Sequence, residues 1–311
     1  MEMRRVGSLE VSVAGLGCNN FGMRIDEDAS KLVVDAALDA GVNHFDTADI
    51  YGGGQSEVFL GRALGSRRDQ AVITTKVGMR VPEGEHGGSE AYIVQHCEES
   101  LGRLGTDRID LYLLHQPDPD TPISETLSAF AKLVADGKVV EIGCSNFTAA
   151  QLDEAERVAQ ELGVPRFVNV QNDYSLLNRD AEAEVLPACE RLDIVFMPYF
   201  PLASGMLTGK YRRNEEHPEG SRLAAWGSRG GDFTSDEKFD VVERLTEYAE
   251  AHGHTLIELA LSWIATTPAV GSVIAGATSA EQVRANAAAT TAWALTDAER
   301  AEIDALARVG G

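Results

Sequence analysis

Asp46, Tyr51, Lys76 and His115 are the side chains with the most chemistry to offer. Three of them end short apolar runs: VNHFD closes on Asp46, AVITTK on Lys76 and IDLYLLH on His115. Tyr51 lies in the loop just beyond Asp46. A tyrosine ordinarily titrates near pH ~10. A lysine cation beside it favours the phenolate and lowers that value. Asp46 could pair with Lys76 and keep it charged, and a histidine could hydrogen-bond the same bound oxygen. Such a group can give a proton to a carbonyl oxygen as a hydride arrives at carbon. No metal site or thiol nucleophile competes for the role. Cys18, Cys97, Cys144 and Cys189 form no C-x-x-C pair and read as buried, reduced thiols.

These residues need a frame that brings strand ends together. Residues 3–13 read as a small hairpin, and a first strand follows near 13–18. Helix patterns at about 28–40, 56–64, 89–103, 122–136, 148–162 and 181–192 then alternate with β-branched runs. Those runs are VNHFD, AVITTK, IDLYLLH, VVEIGCSN, FVNVQ and IVFMPY. Residues 200–235 read as a long loop, followed by helices at 236–252 and 255–266. The strand VGSVIAG and helices at 279–289 and 296–308 complete the chain. Eight β-α repeats in 311 residues predict one α/β domain over 1–311, a (β/α)8 TIM barrel with a short N-terminal hairpin and extra C-terminal helices. A doubly wound open sheet is the alternative. Its G-x-G-x-x-G fingerprint is missing, because GLGC lacks the third glycine and GGG lacks the spacing.

In a barrel the site forms at the C-terminal ends of the strands. Asn19, Asn20, Asp46, Lys76, His115, Ser145, Asn146, Gln171, Asn172, Tyr199 and Gly276 all fall there, with Thr278 and Ser279 opening the following helix. Each alone has a bland reading as a cap, a turn residue or a solvated charge. Their convergence on one rim predicts a shared site.

The formal net charge of −22 opposes binding to nucleic acid or anionic membranes. An anionic ligand would therefore need a local cluster of donors. No stretch is apolar and long enough to span a bilayer, and the N-terminus lacks a signal-peptide core, so the expected location is cytoplasmic.

The segments GVNHFDTADIYGGGQSEVFLGRAL, ITTKVG, SLGRLGTDRIDLYLLHQPDPDTP, KVVEIGCSNF, QNDYSLLNR, PLASGMLTGKY and SVIAGATSAEQVRAN resemble the aldo-keto reductase family, in its order and over almost the whole chain. The long middle loop and the ending resemble the branch containing bacterial reductases and potassium-channel beta subunits. The resemblance implies Asp46, Tyr51, Lys76 and His115 as the catalytic tetrad. It implies NADP(H) laid across the barrel mouth. Ser145, Asn146 and Gln171 would grip the nicotinamide carboxamide, and Tyr199 would stack on the ring. Leu202, Ser204, Gly205, Leu207, Lys210 and Arg222 would run beside the phosphates. Gly276, Thr278, Gln282 and Asn286 would hold the adenosine end. Three positions depart from the pattern: Phe200 stands where many relatives carry a small polar residue after the stacking tyrosine, Ala285 replaces an acidic residue, and Gln282 stands where the shorter-looped branch usually has an arginine. NADP(H) is thus the expected cofactor, with NAD(H) usable.

The implied reaction is reduction of aldehydes or ketones to alcohols, with Tyr51 as proton donor. Alternatives are an aldose- or steroid-type dehydrogenase running oxidatively and a slow redox-sensing regulatory subunit. The expected partner is a small carbonyl compound, met by Asn20, Phe21, Phe200 and Trp226. Oligomeric state stays open, a homo-oligomer included.

Overall fold

The structure, a computed structural model, describes residues 1–79, 81–226 and 234–308, with Ala225 and Trp226 described through their backbone alone. The hairpin pairs β1 (Met3–Val6) with β2 (Leu9–Ser12), antiparallel. Its turn is docked on the wall of the fold, where Ser8 N–H donates to Glu141 Oε1 at 2.7 Å.

Eight parallel strands follow: β3 (Ala14–Gly17), β4 (His44–Asp46), β5 (Val72–Val77), β6 (Ile109–Leu114), β7 (Val139–Ser145), β8 (Asn169–Gln171), β9 (Val195–Phe196) and β10 (Val273–Gly276). They pair in the order β10-β3-β4-β5-β6-β7-β8-β9. The ends of that order meet: Phe196 N donates to Ala269 O at 2.8 Å, and Gly271 N to Phe196 O at 2.9 Å. The sheet thus curls into the expected (β/α)8 barrel, without the open edges of a doubly wound sheet.

The first six helices alternate with β3 to β9. They are α1 (Glu27–Asp39), α2 (Gln55–Leu64), α3 (Glu90–Leu104), α4 (Ile123–Ala135), α5 (Ala149–Leu162) and α6 (Val185–Leu192). After β9 come α7 (Arg222–Trp226), α8 (Asp236–Ala251) and α9 (Leu256–Ala265); after β10 come α10 (Ala280–Ala289) and α11 (Asp297–Leu306). Local chemistry sets many of the starts. Thr148, Thr255 and Thr296 form capping boxes with Gln151, Glu258 and Glu299.

Two expectations change. The helix read over 181–192 begins later, because Glu184 (φ −139°, ψ −39°) interrupts it after a 3-10 turn at Asp180–Glu182. The 200–235 segment is not all loop: a 3-10 turn spans Ala203–Thr208, and α7 lies within it. No helix among the described residues is long and apolar enough to cross a membrane.

Alternation along the strands decides which residues reach the barrel interior. On β5, Val72 packs in the lower apolar cluster, Thr74 hydrogen-bonds His44, and Lys76 lies at the rim. Thr75, of opposite parity, faces outward and donates to the buried Glu57 of α2 at 2.6 Å.

Candidate active site

At the upper rim Asp46, Lys76 and His115 are buried, and Tyr51 is partly buried. Lys76 Nζ donates to Asp46 Oδ2 at 2.7 Å and to the Thr47 carbonyl at 2.8 Å. The same ammonium lies 5.3 Å from the centre of the Tyr51 ring. Tyr51 and His115 meet edge to face, with ring centres 5.8 Å apart. The four expected catalytic residues therefore converge, although they come from β4, its loop, β5 and the end of β6.

The turn after Tyr51 explains the glycine run. Gly52, Gly53 and Gly54 all have positive φ, and a Cβ on Gly52 would stand 2.8 Å from the Phe21 carbonyl. Only glycine follows this path without strain, and the path places the phenol at the mouth.

The electrostatics correct one expectation. Burial raises the Tyr51 phenol above its usual value, and this outweighs the lowering by Lys76; Asp46 adds to the rise. The phenol is therefore a firm proton carrier at neutral pH. Lys76 is pulled down by burial, but Asp46 and Tyr51 carry it above its usual value, so it stays charged. Cys18 lies close to this group; burial first and Asp46 second push its thiol well up, which keeps it from acting as a nucleophile.

The residues expected around a nicotinamide form one hydrogen-bonded group. Asn146, in a left-handed conformation (φ 63°), donates to the His115 carbonyl at 2.9 Å and accepts from Tyr199 Oη at 2.7 Å. Ser145 Oγ donates to the Gln171 carbonyl at 2.9 Å. Gln171 Nε2 crosses the barrel to Asp46 Oδ1 at 2.7 Å.

The segment after β9 carries the residues expected beside phosphates. Phe200, Ala203 and Ser204 all have positive φ. Ser204 Oγ is buried with no hydrogen-bond partner, which fits a site that a polar ligand completes. Arg222 sits over the Phe200 ring, 5.3 Å from its centre. Burial first, then the charge of Arg24, lowers the Arg222 guanidinium. Lys210 folds against Gly205 and over Tyr211, 5.1 Å from that ring. Leu202 and Leu207 pack into the core beside them.

At the adenosine end, a Cβ on Gly276 would stand 3.3 Å from both Asn19 Oδ1 and Asn20 Nδ2 and 3.6 Å from Arg222 Nη2. The amides of Asn19 and Asn20 and the Arg222 guanidinium thus converge on the end of β10. Thr278 and Gln282 are tied to one another: Gln282 Oε1 accepts from Thr278 N at 2.8 Å and from Thr278 Oγ1 at 3.1 Å. Asn286 Nδ2 donates to the Gly276 carbonyl at 3.5 Å. Ala285 is exposed nearby on α10. The buried orphan on Ser204 and the Arg222 guanidinium beside Asn19, Asn20 and Gly276 together fit a polar, phosphate-bearing cofactor.

The residues expected at the substrate are placed less uniformly. Phe200 is half-buried, edge to face with Tyr199 at 5.2 Å. Asn20 is buried and donates to the Ala277 carbonyl at 3.1 Å, tying the first loop to the end of β10. Phe21 is wholly buried in the core. The Trp226 side chain lies outside the described residues. Sequence reasoning missed Thr47, whose carbonyl holds Lys76, and Arg24, which reaches the Gly220 carbonyl and so joins the first loop to the long one. Neither has a local signal, because one acts through its backbone and the other across a large sequence gap.

Two further features lie outside the tetrad. A cavity of about 670 Å³ beside the mouth is lined by Asp173, Asn178, Lys238 and Phe200 among others, and by none of the tetrad. Among the described residues, His86, Asp118 and Asp120 approach within 4.8 Å of one another. Asp118 there accepts from Gly88 N, Asp120 N and Thr121 Oγ1, which accounts for it as a loop fastener.

With this geometry in view, similarity to known proteins is informative. The Aldo/keto reductase family model matches residues 14–308. The chain is 37% identical over 273 residues to a putative voltage-gated potassium channel subunit beta of Schizosaccharomyces pombe, covering 84% of this chain and 78% of that protein. It is 34% identical to the aldo-keto reductase YhdN of Bacillus subtilis, covering 96% of this chain and 90% of that one. The solved aldo-keto reductase AKR11C1 of Bacillus halodurans, in its holo form, superposes with a TM-score of 0.80 at 32% identity, covering 100% of this chain and 97% of that chain. A closed eight-stranded barrel, a rim of converging Asp, Tyr, Lys and His, and these matches lead to one conclusion: the chain belongs to the aldo/keto reductase family and is an oxidoreductase.

Proposed function

We propose that this protein reduces aldehydes or ketones to alcohols, with NADP(H) as preferred cofactor and Tyr51 as the proton donor. The observation that carries the reading is the buried ammonium of Lys76, held by Asp46 Oδ2 and the Thr47 carbonyl while it faces the Tyr51 ring. When bound, a reduced nicotinamide supplies the hydride. Tyr51 holds a proton at its hydroxyl and gives it to the carbonyl oxygen. Lys76 stabilises the phenolate left behind, and Asp46 keeps Lys76 charged. His115, against the Tyr51 ring, orients the carbonyl.

Ser145, Asn146, Gln171 and Tyr199 would hold the nicotinamide, the 202–210 stretch with Arg222 the phosphates, and Gly276, Thr278, Gln282 and Asn286 the adenosine. The partner is a small carbonyl compound in the cytoplasm. The test is turnover of a panel of aldehydes and ketones with each cofactor, followed by nicotinamide absorbance. Tyr51→Phe is expected to lower kcat by at least roughly 10²-fold with little change in cofactor affinity. Near-normal turnover in that variant would remove Tyr51 from the role.

The channel-subunit relative favours a second reading, a slow redox-sensing subunit. It requires turnover limited by cofactor exchange. Fast multiple turnovers on generic aldehydes would set it aside.

A further inference from the structure

Gln171 and Asp46 stand on opposite walls of the barrel, since three strands separate β8 from β4 in either direction around the closed order. Their side chains nevertheless meet at 2.7 Å, and both are buried. An ionised carboxylate only accepts hydrogen bonds, so the amide N–H₂ of Gln171 must be the group that faces it. Asp46 is thus held from both sides, by Lys76 on Oδ2 and by Gln171 on Oδ1. That leaves Gln171 Oε1 as the amide atom not committed to Asp46.

We infer that Gln171 is a positioning residue of the tetrad: its cross-barrel bond holds Asp46, and through Asp46 and Lys76 it sets the acidity of Tyr51, while its Oε1 is turned toward the cofactor carboxamide. This rests on the proposed role of Tyr51 and adds a duty to a residue otherwise read as a cofactor ligand. The chain of effects follows from charge. A donor on Oδ1 shares the negative charge of Asp46. Without it, Asp46 draws more strongly on Lys76, and the lysine supports a phenolate on Tyr51 less well. Cys18, His115, Tyr199 and Arg222 also face Tyr51, while the Asp46 carboxylate accepts from Lys76 on Oδ2 and from Gln171 on Oδ1. A cofactor carboxamide held at Oε1 would also fix the plane of the amide that holds Asp46.

Two substitutions separate this role from simple cofactor gripping. Gln171→Met keeps length and removes both bonds. Its kcat is expected to fall by roughly tenfold or more, and the alkaline limb of the kcat profile to move to higher pH by about half a unit or more. Gln171→Glu places a second carboxyl against Asp46. Two such groups share a proton, so the introduced carboxyl titrates well above its usual value. Protonated, it can donate to Asp46 as the amide does; ionised, it repels it. The activity of Gln171→Glu relative to wild type is therefore expected to recover as pH falls. In the cofactor-free variant the melting temperature, again relative to wild type, is expected to fall as pH rises through that raised value. NADPH affinity, measured by fluorescence quenching, is recorded for both variants. A weaker NADPH affinity with an unmoved kcat profile in Gln171→Met, or a pH-independent ratio and melting difference in Gln171→Glu, would overturn the inference. Tyr51→Phe in the same series distinguishes the parent reading: full turnover there defeats the role of Tyr51, whereas the melting series still reports on the Gln171–Asp46 bond.

Discussion

The two ends of the barrel are built from the same strands and filled in opposite ways. At the lower end the hairpin packs Val6 and Val11 with Leu111, Leu113, Met197 and Ile274 in one apolar cluster. At the upper end the interior positions carry Asp46, Lys76, His115, Ser145 and Gln171. A single strand shows the change: β6 carries Leu111 and Leu113, and the chain continues at the same parity to His115. The lower end is stable through dispersion and exclusion of water, which tolerate modest reshaping. The upper end depends on its buried polar pairs, because breaking one leaves a charge or donor buried without its partner. Substitutions should therefore couple activity to stability at the top and separate them at the bottom.

The largest effect is expected from Lys76→Met. It removes the cation from Tyr51 and leaves Asp46 buried with only Gln171 beside it. Activity is expected to vanish, and stability to fall by about 3–5 kcal/mol as for other broken buried pairs. Urea unfolding and turnover on the same sample would check this. A variant that melts like wild type would mean that the upper end does not depend on the pair.

At the lower end, Leu111→Ala opens a cavity beneath the site. Stability is expected to fall by about 2–5 kcal/mol while kcat per folded molecule stays within about twofold. A large drop in kcat with unchanged stability would dissolve the contrast between the two ends.

The middle layer sharpens the comparison through pH. His44 is fully buried, between Ser272 Oγ and Thr74 Oγ1 at 2.9 Å each. Burial lowers its pKa from 6.5 to about 4. Between those values the unfolded chain binds a proton that the folded one refuses. Stability is therefore full above about 6.5 and declines as pH falls toward about 4. His44→Gln is expected to flatten that acid slope in melting curves, at some cost in stability at neutral pH. An unchanged slope would place the acid sensitivity elsewhere.

The smallest effect is expected at the rim. Gln282 Oε1 is occupied by Thr278, so its amide N–H₂ is the donor left to offer a 2′-phosphate. Gln282→Arg is expected to tighten NADPH by about tenfold, with more salt sensitivity and little change for NADH. Equal gains for both cofactors would mean that the 2′-phosphate lies elsewhere.

Much of the architecture was legible from local pattern. Alternating apolar runs and amphipathic stretches identified all eight barrel strands, because a strand's parity and a helix's stripe are set by near neighbours. Strand lengths were less legible. IVFMPY yields only Val195–Phe196 as β9, since its pairing depends on where residues 269–271 arrive to close the barrel. Asn20 and Phe21 lie beside the mouth by position, but what their side chains meet was not legible: Asn20 donates to the Ala277 carbonyl and Phe21 packs into the core.

The sequence by itself determined which reactive side chains exist, that they end strands of a β-α repeat, and which family the chain resembles. These depend on residue type and short spacing. Only the tertiary structure decided that Gln171 meets Asp46, that the Thr47 carbonyl shares Lys76, and that burial overrides the lysine at Tyr51. The first of these joins residues 125 apart in the chain. The second joins residues 29 apart, and the third turns on how completely the barrel excludes water around the phenol. No local pattern encodes either quantity, because both arise only when the eight strands close on one another.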